Sequence, residues 1–201
     1  GKQVWKNGRI TSLTLYDLKL KKLPTSLGDL TKLKKLNIYS NQLSSIPNSI
    51  GKLTNLIELN LHDNQLTGLP ESIGGLSQLK RLKIDRNNIT TLPKSISKLK
   101  KLVKLQINHN ELKSLPKNIC VINFDKNNLQ SFISGNNYLC EDVPDCVENL
   151  PGFNYEYDAN GFPFYEPQKC VICEPGFRGI INTPENITNS DGSSCFYKSD
   201  L

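Results

Sequence analysis

The side chains best suited to covalent chemistry in this 201-residue chain are six cysteines. All but Cys120 lie in the last third of the chain, at Cys140, Cys146, Cys170, Cys173 and Cys195. An even number of cysteines crowded into a short, loop-rich tail favours disulfides and an oxidising compartment. Zinc is the competing use, since Cys170-x-x-Cys173 has the spacing of metal ligands. No second close pair or nearby histidine completes a zinc set, so we expect disulfides and no metal.

The two histidines, His62 and His109, are the other candidates for acid–base chemistry. They stand two units apart in the repeat described below, so adjacent strands would separate them by roughly 10 Å. No nucleophile elbow, pair of catalytic carboxylates or phosphate-binding loop appears in the sequence. We therefore expect neither an enzyme nor a cofactor.

A period of 23 residues organises the first two thirds of the chain. Apolar-proline pairs keep this spacing at Leu23-Pro24, Ile46-Pro47, Leu69-Pro70, Leu92-Pro93 and Leu115-Pro116. An asparagine column runs in step at Asn41, Asn64, Asn87 and Asn110. A fixed period between about 20 and 50 residues is typical of a solenoid. A solenoid offers a broad ladder of surface positions rather than a catalytic pocket, which favours recognition or assembly.

Each unit contains the elements of one coil of such a solenoid. The alternation Leu59-x-Leu61 predicts a short strand with its apolar side chains on one face. The asparagine follows the strand, where its side chain can satisfy backbone groups of the turn. The segment from proline to the next leucine predicts a short helical or 3₁₀ turn on the outer side. We expect this turn to be capped by serines, at Ser49, Ser72 and Ser95.

The repeat resembles the leucine-rich-repeat family, whose pattern L-x-x-L-x-L-x-x-N-x-L is matched by residues 56–66, LIELNLHDNQL. The resemblance covers residues 10–139 and implies an α/β solenoid, a horseshoe with short parallel concave strands. We count five full units and a truncated sixth at residues 119–129, because Asn127 follows Asn110 by only 17 residues. The predicted domains are a solenoid over 1–139 and a cysteine-rich acidic cap and tail over 140–201.

Both ends of the repeat array are similar to plant receptor ectodomains. Residues 5–13, WKNGRITSL, resemble the start of their first repeat, and Trp5 is expected to cover that repeat unless preceding residues do so. Residues 135–140, GNNYLC, resemble their carboxy-terminal cap, which implies a Cys140–Cys146 bond. Residues 173–179, CEPGFRG, resemble the last loop of an EGF-like module, which implies a Cys173–Cys195 bond and leaves Cys120 and Cys170 as partners by elimination.

The tail also carries aromatic strands and one of two glycosylation sequons. Residues 153–157 and 162–164, FNYEY and FPF, flank the turn residues 158–161, DANG, and predict a β-hairpin with an aromatic face. The sequons begin at Asn88 and Asn186 and fit a secreted glycoprotein. Together with the cysteines, they predict an extracellular location.

The residues between the strand leucines form the candidate ligand-binding face, because they point away from the core. Rings that stack and amides that form directed hydrogen bonds suit a protein or glycan ligand. The candidate binding residues are Tyr16, Tyr39, His62, Asn37, Asn60, Arg81 and Lys83. The alternative is that neighbouring rings on adjacent strands only stabilise the sheet.

Charge is divided unevenly along the chain. Residues 1–139 hold 22 Lys and Arg against 8 Asp and Glu, a balance of +14, whereas residues 140–201 hold 3 against 11, a balance of −8. Contact between basic repeats and acidic tail suggests the alternative function, a structural subunit of an extracellular assembly or homo-oligomer. The acidic half and the lack of a binding motif argue against nucleic acid. No apolar run is long enough for a membrane span.

Overall fold

The protein is described by a computed structural model that covers residues 1–124, 132–135, 137, 139, 143–148 and 150. It also covers four short tail strands, at residues 155–157, 163–165, 171–173 and 195–197. Within these residues, the main element is a seven-stranded sheet whose strands follow chain order. The strands are β1 (Lys2–Lys6), β2 (Arg9–Thr14), β3 (Lys35–Asn37), β4 (Glu58–Asn60), β5 (Arg81–Lys83), β6 (Lys104–Gln106) and β7 (Phe132–Ile133).

The sheet keeps the 23-residue period, which confirms the predicted solenoid. Strands β2 to β7 are parallel, and the register pairs Leu36 with Leu59 and Leu59 with Leu82. These leucines are almost completely buried, whereas the residues on either side of them lie on the solvent side. One unit cannot bury its own leucines, so the core forms only when consecutive strands stack.

The outer side of each unit is a single turn of 3₁₀ helix, as predicted. The helices are Thr25–Asp29, Asn48–Lys52, Glu71–Gly75, Lys94–Lys98 and Lys117–Val121. In each, the N-cap is the proline of the repeated pair and makes no side-chain capping bond. The predicted serine caps are therefore wrong.

The serines at these helices have a packing role instead. A Cβ added to Gly51 would lie 2.4 Å from the carbonyl oxygen and 3.0 Å from the Cβ of Ser72 in the next unit. Gly28 makes the same close approach to Ser49. Small residues are required at both positions because successive outer helices nearly touch.

The asparagine column ties each unit to the one before it. Asn64 accepts a hydrogen bond from the backbone N–H of Leu43 at 3.1 Å. Its amide donates to the carbonyl oxygens of Ile38, Leu61 and His62. The side chain thus satisfies backbone groups of the buried turn, which would otherwise lack partners, as the sequence predicted.

The sixth unit lies further along the chain than predicted. Strand β7 begins at Phe132, which pairs with Leu105, and Asn137 donates to the carbonyl oxygens of Ile107 and Ser134. Residues 119–121 belong to the fifth 3₁₀ helix, so they are not available for a strand. The sixth asparagine therefore follows Asn110 by 27 residues, and the outer segment is lengthened rather than shortened.

The predicted Cys140–Cys146 bond is wrong, because Cys146 is joined to Cys120. Cys120 lies in the fifth 3₁₀ helix, and Cys146 lies in the single described α-helix, α1 (Asp145–Glu148). Their Cα atoms are 5.6 Å apart, within the usual disulfide range of about 4.4–6.8 Å. Cys146 and Val147 pack against the end of the core, so the bond fastens the last helix to the repeats.

The tail contains two separate two-stranded sheets within the residues described. Strands β8 (Tyr155–Tyr157) and β9 (Pro163–Tyr165) pair antiparallel, which confirms the predicted hairpin. Strands β10 (Val171–Cys173) and β11 (Cys195–Tyr197) also pair antiparallel. Their register sets Cys173 opposite Cys195, and the bond between these two cysteines stays a prediction. Cys140, Cys170 and Asn186 lie outside the described residues, and the domain division at residue 139 stays a prediction.

The first strand adds an antiparallel edge to the repeat sheet. Strands β1 and β2 join through a two-residue turn at Asn7 and Gly8, both with positive φ. The expectation that Trp5 covers the first repeat is wrong, since its side chain is 60% exposed. The strand itself covers the first repeat by pairing with β2. Within the described residues, no helix is long and apolar enough to cross a membrane.

Candidate ligand-binding face

The candidate face is the solvent side of strands β2 to β6. Each strand of three to six residues exposes the side chains on either side of its buried leucine. Adjacent parallel strands are about 4.8 Å apart, so equivalent side chains of successive repeats lie within contact distance. The face is therefore a grid whose columns are the 23-residue positions of the sequence.

Two tyrosine rings stack at the amino-terminal end of the face. The ring centroids of Tyr16 and Tyr39 are 5.3 Å apart, and the ring planes differ by 4°. Tyr16 is 45% exposed, so one face of the pair is open to solvent. Such a pair contributes to the stability of the sheet and also presents an apolar surface with polar edges.

The two amides beside the rings are only partly used in internal contacts. Asn37 donates to the hydroxyl of Thr14 at 3.3 Å, and the Asn60 oxygen accepts the backbone N–H of His62 at 3.1 Å. Both side chains are half-buried. Among the residues that the structure describes, the side-chain oxygen of Asn37 and the NH₂ group of Asn60 have no hydrogen-bond partner.

Two cations share the carboxylate of Glu58, which lies on the strand between them. Lys35 Nζ lies 3.2 Å from Glu58 Oε1, and Arg81 Nη2 contacts the same oxygen. Two cations on one anion leave this row with an excess of positive charge. Sequence reasoning named Arg81 and missed Glu58, although the three residues occupy one column of the repeat.

His62 forms an ion pair with Asp85 of the next unit. The distance from Nδ1 to Oδ2 is 2.6 Å. The hydrogen bond to Asp85 raises the pKa of His62, burial opposes the rise, and the negative charges of Asp85 and Asp63 support it. Asp85 is 8% exposed, and its second oxygen has no hydrogen-bond partner among the described residues. Asp85 is thus a buried carboxylate, and it was not among the binding residues predicted from the sequence.

The far end of the face is cationic and rich in buried acceptors. Burial lowers the pKa of Lys104, and the charges of Lys83 and Arg81 lower it further. In the part of the chain that is described, the side-chain oxygens of Gln106 and Asn108 are buried without hydrogen-bond partners. Neither residue was among the binding residues predicted from the sequence.

The structure places all seven predicted binding residues on one face but does not gather them into a pocket. Tyr16 contacts Tyr39, and Asn60 contacts His62. Arg81 is engaged by Glu58 of its neighbouring strand. Lys83 has no ion-pair partner among the described residues. The face is an extended surface rather than a cavity.

The predicted glycosylation position in the repeats is accessible. The side chain of Asn88 is exposed and lies 3.3 Å from Glu111 Oε1. Ile89, the middle residue of the sequon, is fully buried and anchors the turn. A group of three or more side chains suited to hold a metal ion is not found in the part of the chain that is described.

Comparison with known proteins supports the repeat assignment. Family models described as Leucine Rich Repeat and Leucine rich repeat match residues 32–53 and 54–112. No curated protein matches the chain. A leucine-rich-repeat protein of Leptospira interrogans, LIC12759, is 32% identical with a TM-score of 0.53. That match covers 69% of this chain and 40% of the Leptospira chain, so this chain spans less than half the length of that relative.

Two plant proteins are similar over the same region. The plant peptide hormone receptor RGFR1, solved in complex with RGF2, is 32% identical with a TM-score of 0.59, over 71% of this chain and 23% of the receptor chain. The BIR2 ectodomain from Arabidopsis thaliana is 30% identical with a TM-score of 0.56, over 69% of this chain and 74% of the ectodomain. Repeat, sheet and relatives agree, and this chain belongs to the leucine-rich-repeat family.

Proposed function

We propose that this protein is an extracellular recognition protein that binds a peptide or protein ligand on the face formed by β2 to β6. The proposal is based on three features that this face combines. They are a solvent-exposed pair of aromatic rings, amide groups without a hydrogen-bond partner among the described residues, and an excess of positive charge. The similar receptor RGFR1 is described in complex with RGF2, and the similar BIR2 chain is an ectodomain. An ectodomain is also the setting in which the Cys120–Cys146 bond persists.

The chemistry of the face favours a ligand with an acidic group and an aromatic or apolar side chain. An acidic group beside Lys83 and Lys104 would relieve the repulsion that lowers the pKa of Lys104. A ring or apolar side chain would pack on the stacked pair of Tyr16 and Tyr39. The free amide of Asn60 adds a directed hydrogen bond between these two positions. A glycan ligand with the same groups is the second ligand class, and no catalytic step is part of the proposal.

The test is selection of peptides from a random library on the immobilised full chain, followed by calorimetry with the enriched peptide. We expect acidic and aromatic residues to be enriched. Tyr39→Ala combined with Lys83→Gln should weaken binding at least about tenfold, because one apolar contact and one charge-assisted bond are lost. Lys98→Ala combined with Lys101→Ala, on the outer side, is the matched control. An equal loss in that control would refute the assignment to the concave face.

The charge division supports a second candidate function, a structural subunit that assembles through basic repeats and acidic tails. A head-to-tail contact between the +14 repeats and the −8 tail of the next molecule would not close on itself and would grow into a fibre. Light scattering on the full chain decides between the two functions. Large species at low salt that dissolve at high salt support assembly. A monomer at low salt and high concentration excludes it.

A further inference from the structure

A basic cleft lies at the amino-terminal flank of the solenoid, where the turn between β1 and β2 meets the segments that precede β3 and β4. It has a volume of about 410 Å³, within the range of about 300–1,000 Å³ found for small-molecule sites. Four cations line it, namely Lys6, Arg9, Lys32 and Lys34, together with the amides of Asn7 and Asn55. We call this cavity the flank cleft.

Within the part of the chain that the structure describes, the cations of the flank cleft are not neutralised by ion pairs. Among the described residues, none of the four has a carboxylate partner within ion-pair distance. Four like charges around one cavity repel each other, and side-chain amides do not offset that repulsion. A ligand that brings negative charge would convert the repulsion into charge-assisted hydrogen bonds, and Arg9 offers a fork suited to a carboxylate or sulfate.

The cluster arises from the first strand and is confined to the first repeats. The turn at Asn7 and Gly8 folds β1 back, so that Lys6 pairs directly with Arg9. Arg9 and Lys32 occupy one repeat column, which continues as Asn55, Gln78 and Lys101. Further along that column the only cation is Lys101, which donates a hydrogen bond to the side-chain oxygen of Gln78 at 2.6 Å. The later repeats on this flank therefore lack the cluster of cations and can serve as an internal control.

An exposed ring adjoins the flank cleft. A second cavity of about 200 Å³ shares Arg9 and Lys32 with the first and is lined by Trp5, Ile10 and one carboxylate, that of Asp29. Trp5 is 60% exposed and is the one tryptophan of the chain. A flat ring with an apolar face, set beside cations and amides, matches the apolar face, hydroxyls and acidic groups of a charged sugar. A nucleic acid would require a longer basic track than one that ends at Asn55.

We propose that the flank cleft binds an acidic oligosaccharide, with its carboxylate or sulfate groups on Lys6, Arg9, Lys32 and Lys34 and a sugar ring on Trp5. This site is separate from the concave face and does not depend on the function proposed for that face. The chemical groups of the ligand are shared by uronate-bearing and sulfated sugars, and the experiment distinguishes the two sources.

The test is calorimetric titration of the full chain with three oligosaccharides of equal length: uronate-bearing, sulfated and neutral. We expect one or both acidic sugars to bind and the neutral sugar to bind at least about tenfold more weakly, since charge-assisted bonds carry the affinity. The acidic sugar that binds more tightly shows whether the ligand carries uronate or sulfate groups. Failure of both acidic sugars to bind would overturn the proposal.

Two double variants that lower the net charge by the same amount locate the site. Lys32→Gln with Lys34→Gln should weaken binding at least about tenfold, whereas Lys80→Gln with Lys101→Gln, in the same columns two and three repeats further on, should change it less than about twofold. Equal losses in the two doubles would show unspecific charge attraction and overturn the proposal. A Trp5→Ala variant that binds the sugar as tightly as the original chain would overturn the sugar assignment. Tighter binding of a polyglutamate peptide than of either acidic sugar would do the same.

Discussion

Replacing Asn87 by alanine measures how the asparagine column stabilises the solenoid. Asn87 accepts a hydrogen bond from the backbone N–H of Leu66 at 2.9 Å. Its amide donates to the carbonyl oxygens of Leu61, Ile84 and Asp85. The side chain is buried in the middle of the array, so water does not readily replace these contacts.

Sharing between neighbouring asparagines limits the cost of that replacement. Four hydrogen bonds at about 1 kcal/mol each would predict a loss of about 4 kcal/mol. However, Asn64 also donates to Leu61, Asn110 also donates to Ile84, and the Asp85 carbonyl accepts the N–H of Asp63. Only the N–H of Leu66 loses its sole partner. We expect Asn87→Ala to lower the free energy of unfolding by about 2 kcal/mol, the cost of one buried unsatisfied donor.

Urea unfolding followed by far-UV circular dichroism gives this free energy. Asn88→Ala is the matched control, because that neighbouring side chain is exposed, and a change of less than about 0.5 kcal/mol is expected there. Asn87→Asp should cost more than alanine, about 3–5 kcal/mol, since it places a buried charge against carbonyl oxygens. If Asn87→Ala lowers the free energy of unfolding by about 4 kcal/mol, the other donors do not compensate for the lost hydrogen bonds, and the reasoning is refuted. If the free energy hardly changes, the N–H of Leu66 is not left unsatisfied, which refutes it as well.

Three further predictions concern the disulfide and the ion pair. Non-reducing peptide mapping should link Cys120 to Cys146, and a link from Cys140 to Cys146 would contradict the structure. Serine at both Cys120 and Cys146 should lower the free energy of unfolding by about 3.5 kcal/mol, as expected from chain entropy for a separation of 26 residues. The raised pKa of His62 means that its pairing with Asp85 stabilises the fold fully below the ordinary histidine pKa, about 6.5, and less as pH rises through the raised value. In urea unfolding at pH 5.5 and 8.5, His62→Gln should therefore destabilise more at pH 5.5, and an equal effect at both would contradict the pairing.

The strands of the middle repeats could be predicted because two independent periods agree. The two-residue alternation around Leu59 and Leu82 gives a strand, and the 23-residue period stacks the strands in register. The asparagine column could also be predicted in its role, since a buried turn after each strand needs a side chain with both a donor and an acceptor. Because the same residue types recur at the same positions of each unit, a strand or turn predicted in one unit is predicted in the others as well.

The sixth repeat could not be placed by pattern alone. Residues 119–129 and residues 129–139 both fit the spacing of the family pattern, and they overlap by one leucine. The choice is physical: the chain must first complete the outer 3₁₀ helix that starts after Pro116, and this helix ends at Val121. The strand can form only afterwards, at Phe132 and Ile133.

The serine caps failed for a related reason. Serine is a common N-cap residue, so a serine near the start of a helix suggests a cap. Here the preceding proline is the N-cap, and its ring holds φ at about −70° in an extended conformation. Serine is found there because Gly51 of the preceding unit leaves no space for a larger side chain at Ser72. That contact joins residues of different repeats, so one unit read alone does not reveal it.

Most charge pairs on the concave face join residues one repeat apart, and this determines what a ligand can contact. Glu58 forms an ion pair with Arg81, and Asp85 forms one with His62. A ligand that binds either cation must therefore compete with the carboxylate that is already paired with it. Substitution of either cation also changes stability, because it leaves a partner unpaired. Lys83 lacks such a partner among the described residues. Binding measurements at Lys83 therefore test the proposed recognition more directly than those at Arg81 or His62.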